Sequence, residues 1–116
     1  MARRMSFMLT QKQVEDRTKT VTRRVGWWFL KPGDLVTAVD KGMGLKKGQK
    51  SKRLASIRIV DVREERLNQI TREDVVKEGF PGMSPAEFVS MFCSHMKGER
   101  DQKVNRIEFE YLDGEA

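Results

Sequence analysis

Eight consecutive residues, Arg17-Thr-Lys-Thr-Val-Thr-Arg-Arg24, hold four cations and three threonines. Three chemistries fit that mix: a solvated basic strand, a surface for phosphate, or a catalytic site with a lysine in it. The last asks most of its surroundings. A threonine hydroxyl becomes a useful nucleophile only when a neighbouring base takes its proton. Lysine can be that base when burial or nearby cations lower its pKa, and Arg17, Arg23 and Arg24 all lie close in sequence to Lys19. A carboxylate would then hold the lysine or protonate a leaving amine. No metal or cofactor is expected. Cys93 and His95 are the only cysteine and histidine, too few for a structural zinc site.

Two other constellations invite chemistry and fail. Cys93 and His95 could be a nucleophile and its base, but they fall on an expected helix, where residues two apart do not face each other. Gly44-Leu-Lys-Lys-Gly48-Gln-Lys-Ser51 has the flavour of a phosphate loop. That loop needs four residues between its glycines, a lysine directly after the second, and a strand-to-helix setting. Here three residues intervene, Gln49 follows the second glycine, and the segment joins two strands. Its cations Lys46, Lys47, Lys50, Lys52 and Arg53 instead suit an arm that touches a nucleic-acid backbone, a salt-sensitive and sequence-independent use. Arg17, Arg23 and Arg24 are further candidates for phosphate. Trp27 and Trp28 are candidates for base stacking, since bases stack on exposed indoles, although aromatic clusters in small domains more often belong to the core.

Charge distribution agrees with an anionic partner. Residues 1–60 carry 15 Lys and Arg against 4 Asp and Glu, whereas residues 61–116 carry 8 against 13. Such polarity focuses positive potential on one region. With 116 residues and 38% hydrophobic content, one domain spanning 1–116 is expected. No apolar run approaches the roughly 18 residues of a membrane span. The start lacks the apolar core of a signal peptide, and a lone cysteine suits a reducing compartment. A cytoplasmic location without membrane contact is therefore expected.

The elements that must position these residues are short. Thr10 and Gln13 have capping-box spacing and predict a helix to about Asp16. A Thr- and Val-rich strand is predicted over 18–25. Lys31-Pro-Gly-Asp34 is a turn that delivers a strand at 35–39. A long strand is predicted near 54–62, with Ile57, Ile59 and Asp61 alternating against Arg58, Val60 and Val62. Thr71 caps a short helix ending at Gly79. Ser84-Pro-Ala-Glu87 opens a helix running to about Met96, with Met83, Met91 and Met96 in packing roles. A last strand over 104–111 sets Ile107, Phe109 and Tyr111 on one face. One difficulty stands out. Alternate strand residues face opposite sides, so Lys19 and Thr22 would diverge. A joint site requires the chain at Lys19 to be still turning off the helix, or bulged.

Lys19-Thr-Val-Thr22-x-Arg24, after a short helix and before a Pro-Gly-Asp turn, resembles the ASCH domain of the PUA-like superfamily, whose signature there is Gly-x-Lys-x-x-Glu-x-Arg. Lys19 and Arg24 match, Arg17 stands for the glycine, and Thr22 for the glutamate. The threonine is similar to the small bacterial amidohydrolases of N(4)-acetylcytidine, with Gly-x-Lys-Thr-x-Thr-x-Arg. Ile70 to Glu78 resembles the short helix that carries their glutamate, and Arg106 to Glu110 their last strand. The likeness runs from Ser6 to Leu112. It implies an α+β fold, a small curved antiparallel or mixed PUA-like barrel with a few short helices. It implies catalytic Lys19, Thr22 and Glu78, no cofactor, and a modified nucleoside or RNA as partner. Amide hydrolysis of an N(4)-acylated cytidine, a non-catalytic RNA-binding module, and an RNA-cleaving domain are the functions it leaves open. The last finds no histidine pair in this sequence.

Overall fold

The computed structural model describes residues 3–41 and 51–112. In chain order the elements are β1 (Arg3–Ser6), α1 (Gln11–Glu15), β2 (Val21–Arg24), β3 (Leu35–Val39), β4 (Arg53–Arg66), α2 (Arg72–Lys77), α3 (Pro85–Met96) and β5 (Lys103–Tyr111), with a single 3-10 turn at Leu67–Gln69. The five strands make one mixed, curled half-barrel sheet in the order β1-β3-β4-β5-β2. Only β1 and β3 run parallel; the other neighbours are antiparallel. This is the α+β architecture expected, with one strand more. The alternation of Arg4 and Ser6 with Met5 and Phe7 is the signal for β1, and Met5 and Phe7 are buried.

Two apolar clusters hold the fold together. One fills the concave side of the sheet, with Phe7, Val14, Ile57, Ile59, Ile107 and Phe109 at its centre. The other lies between α2, α3 and the far end of the sheet, around Leu67, Val75, Phe88, Phe92 and Val104. The strand β4 reaches both because it is 14 residues long. A bulge between Ile59 and Asp61 shifts its register against β5. The extra residue reverses the alternation beyond it. Val62, expected opposite Ile57 and Ile59, therefore packs on the same cluster as they do.

Capping follows the sequence at two of three helices. Thr71 Oγ1 accepts from the Asp74 amide at 3.1 Å. Ser84 and Glu87 form a reciprocal box at 3.1 and 2.8 Å, with Pro85 at the first helical position. At α1 the expected box does not form, and Thr10 makes no side-chain cap. Gln13 is otherwise engaged: its amide donates to Gly79 O at 3.1 Å and ties α1 to the end of α2. Among the described residues no helix is long and apolar enough to cross a membrane.

Candidate functional site

The strand expected from Thr18 begins only at Val21. Before it, Arg17 takes a left-handed conformation (φ 64°). The amides of Thr18 and Lys19 both donate to Gln13 O, at 3.0 and 3.2 Å. Lys19 is thus still leaving α1, which removes the alternation that would have set it opposite Thr22. Its backbone is pinned further by the Tyr111 hydroxyl, which donates to Lys19 O at 2.5 Å. Next to it, Thr20 N donates to Lys77 O at 2.9 Å and brings the end of α2 alongside.

That junction delivers Lys19 to Glu78, the residue capping α2. Lys19 Nζ donates to Glu78 Oε1 at 2.8 Å and to Glu78 O at 2.7 Å. The two side chains are 3% and 4% exposed, so the pair has left water almost completely. Arg23 Nη1 donates to Glu78 Oε2 at 3.1 Å. Beyond it the ion chain continues: Arg23 also donates to Glu65 and Asp74, and Arg106 donates to Asp74 at 2.6 and 3.1 Å. Buried charges persist when paired in this way.

The electrostatic consequences are directional. Desolvation pulls the Lys19 pKa below its usual 10.5; Glu78 opposes this, and Arg24 and Arg23 add to it. Burial also pulls Arg24 down to about 10, with Glu78 opposing, which leaves it charged at neutral pH. Hydrogen bonds from Arg106, then from Arg23, hold Asp74 well below the usual carboxylate range against the opposing effect of burial.

Thr22 approaches from β2. Its hydroxyl accepts from Arg24 Nε at 3.1 Å, while Arg24 Nη2 donates to Ser6 O at 2.5 Å. The guanidinium sits 4.7 Å from the centre of the Phe7 ring. Lys19, Thr22, Arg23, Arg24 and Glu78 all line one cavity of about 250 Å³, whose remaining wall includes Met8, Phe80, Phe88, Met91, Phe92 and His95. Among the described residues no hydrogen bond joins Lys19 Nζ directly to Thr22 Oγ1. A substrate atom or one water must bridge them for proton transfer.

The other predicted residues are dispersed. Arg23, expected to meet phosphate, is 3% exposed and gives Nε, Nη1 and Nη2 to carboxylates. Internal ion pairing has replaced the surface role. Arg17 lies over the Tyr111 ring at 5.1 Å and donates to backbone carbonyls of α1. Lys52 pairs with Glu15 at 3.3 Å, and Arg53 donates to Ser56 at 2.7 Å. Lys46, Lys47 and Lys50 lie outside the described residues. Trp27 and Trp28 sit in a turn, where strand alternation does not apply. Trp27 is half-buried against the first cluster, and Trp28 is exposed. Among the described residues no group of three potential ligands could hold a metal.

Sequence reasoning missed the depth of the ion chain. The sequence alone assigns no charge partner to Asp74, Glu65 or Arg106. The signal appears once the register is known. Arg23, Arg106 and Arg63 stand side by side across three strands, a stack of cations that needs carboxylates beside it.

No family model and no curated protein sequence matches the chain. Solved structures do. Protein EF3133 from Enterococcus faecalis V583, described as DUF984, is 16% identical with a TM-score of 0.65, covering 97% of this chain and 77% of that one. The hypothetical protein PH0355 is 17% identical with a TM-score of 0.66, covering 97% of this chain and all of that one. An ASCH domain from Lactobacillus crispatus JV V101 is 17% identical with a TM-score of 0.61, covering 89% of this chain and 70% of that one. With its mixed, curled five-stranded sheet and short helices, the chain has an ASCH-like fold.

Proposed function

We propose that this cavity hydrolyses an exocyclic amide on a modified nucleoside, an N(4)-acylated cytidine. One observation carries the reading: a desolvated lysine, a threonine hydroxyl and a buried carboxylate line the same small cleft. Thr22 Oγ1 attacks the acyl carbon, and its proton passes to Lys19 in the neutral form. Burial lowers the Lys19 pKa and so raises the fraction of that form. Arg24 Nε, 3.1 Å from the hydroxyl, favours the developing alkoxide. Lys19 returns the proton to the exocyclic nitrogen, which leaves as the free amine of cytidine. Water, deprotonated by Lys19, then attacks the acyl-threonine ester; the C–Oγ bond breaks, Lys19 returns the proton to Thr22 Oγ1, and the carboxylic acid is released. Glu78 holds Lys19 Nζ in place throughout.

The test is to incubate purified protein with N(4)-acetylcytidine and follow cytidine by chromatography. Lys19→Met, Glu78→Gln and Thr22→Val should each cost two or more orders of magnitude in turnover, on the scale of about 10²–10⁴ for acid–base groups. Thr22→Ser, which keeps a hydroxyl, should retain part of the activity. Absence of cytidine release from every acylated cytidine tried, with folded protein, rejects the enzyme.

A second reading is a non-catalytic RNA-binding module. The Lys19 ammonium is already committed to Glu78, and Thr22 is paired with Arg24 and not with Lys19. Those groups could equally read the edge of a base. In that case Lys19→Met lowers affinity and no variant changes turnover, because there is none. The RNA-cleaving alternative is weaker, since His95 is the only histidine available to the cavity.

A further inference from the structure

Beside the first cavity lies a second, of about 290 Å³, lined by Arg24, Val25, Trp27, Phe92, Met96, Lys97, Gly98 and Gln102. Arg24, Phe92 and Met96 line both, so the two spaces share a wall that includes Arg24. Three features of the second space point to a ligand. Among the described residues its charged lining is cationic only, Arg24 and Lys97, with no carboxylate. Arg24 uses Nε and Nη2 internally and leaves Nη1 without a partner among the described residues. No ion pair among those residues engages Lys97.

Lys97 is also held in an unusual backbone state. At φ 62° and ψ −177° it occupies a region that is essentially reserved for glycine. The turn is fixed there by Gln102, whose amide donates to Lys97 O at 3.1 Å and to Glu99 O at 2.9 Å. A glycine would suit this backbone better, yet a cation stands in its place. The remaining wall includes Trp27, which offers an aromatic surface for stacking. Its position is set by Asn105 Oδ1, which accepts from the Trp27 amide at 2.9 Å.

We propose that the second cavity is a nucleotide subsite, which takes the phosphate and the flanking base attached to the residue held in the first. Phosphate meets Arg24 and Lys97, and the flanking base stacks on Trp27. The favoured ligand is then a modified base within single-stranded RNA, ahead of the same base as a free nucleoside. This rests on the first cavity being the seat of that base, and it specifies the class of molecule that carries it.

The probes are cytidine, cytidine monophosphate and a short oligocytidylate, titrated by calorimetry at several salt concentrations. Affinity should rise in that order. Lys97→Gly should leave cytidine binding unchanged, weaken both phosphorylated ligands, and reduce the salt slope by about one phosphate contact. Because glycine fits the backbone there, its melting temperature should not fall, so weakened binding cannot come from misfolding. Trp27→Leu should cost the oligonucleotide about tenfold, as expected for one base stack, while cytidine monophosphate keeps its affinity. Cytidine monophosphate equalling the oligonucleotide in the wild type would restrict the site to free nucleotides and overturn the proposal. So would equal affinity for all three ligands, or a Lys97→Gly variant that binds the phosphorylated probes as the wild type does. These readouts are of binding and stand apart from amide hydrolysis. Oligonucleotide affinity that depends on Lys97 without cytidine release upholds the subsite and rejects the enzyme.

Discussion

Removing Glu78 should destabilise the protein more than removing Lys19, although the two form one ion pair. Their atoms are 2.8 Å apart and nearly fully buried, which gives a gross attraction of about 6 kcal/mol at an effective dielectric of about 20. Most of that offsets the desolvation of both ions, so the intact pair contributes little net stability. The single variants differ in what they strand. Lys19→Met leaves Glu78 with Arg23 at 3.1 Å, and should cost about 1–3 kcal/mol, as for a hydrogen bond to a charged group. Glu78→Ala leaves a buried ammonium facing Arg23 and Arg24, and should cost about 3–5 kcal/mol. The double variant should cost less than the sum, with a coupling of about 2–3 kcal/mol. A pH signature accompanies this. In Glu78→Ala, burial and the two arginines still lower the Lys19 pKa, and the carboxylate no longer opposes them. The folded state then binds fewer protons than the unfolded one below 10.5, so stability rises with pH in that window. The deficit relative to wild type should shrink as pH rises toward 10.5. Urea midpoints at constant slope measure all of it. A Glu78→Ala variant no less stable than Lys19→Met, or a deficit flat across pH, would refute the account.

Other variants test other parts of the molecule. Asp74 is held well below 3.8 chiefly by Arg106 and then by Arg23, so the unfolded chain takes up its proton first as pH falls. Wild-type stability should therefore drop as pH descends from that value, and Asp74→Asn should make the urea midpoint less steep in acid; an unchanged slope would count against the ion chain. Gly79 has φ +103°, and a Cβ there would meet Gln13 Cγ at 2.8 Å. Gly79→Ala should lose about 1–3 kcal/mol in thermal denaturation, whereas a neutral result would place the junction of α1 and α2 elsewhere. Lys97→Gly should gain about 1 kcal/mol, the relief of strain less the added freedom of the unfolded chain, and a lower melting temperature would contradict the backbone assignment.

Local chemistry decided much of this protein before any tertiary contact. Ser84-Pro85 with Glu87 fixed the start of α3, because the groups that cap a helix end are neighbours in sequence. Alternating Ile107, Phe109 and Tyr111 marked β5 because a strand repeats every two residues. The grouping of Lys19, Thr22 and Arg24 within a few positions made a shared site legible, and Glu78 came from the resemblance. Three things depended on long-range structure. Tyr111 pins the Lys19 carbonyl and Lys77 O takes the Thr20 amide, and that junction holds Lys19 and Thr22 at one cavity despite strand parity. The bulge at Val60 exists only relative to β5, and it decides which way Val62 faces. The fate of Arg23 turned on Glu65, Asp74 and Glu78, which lie more than forty residues away. A cation's sequence neighbours give its charge, but only the folded chain says whether water or a carboxylate receives it.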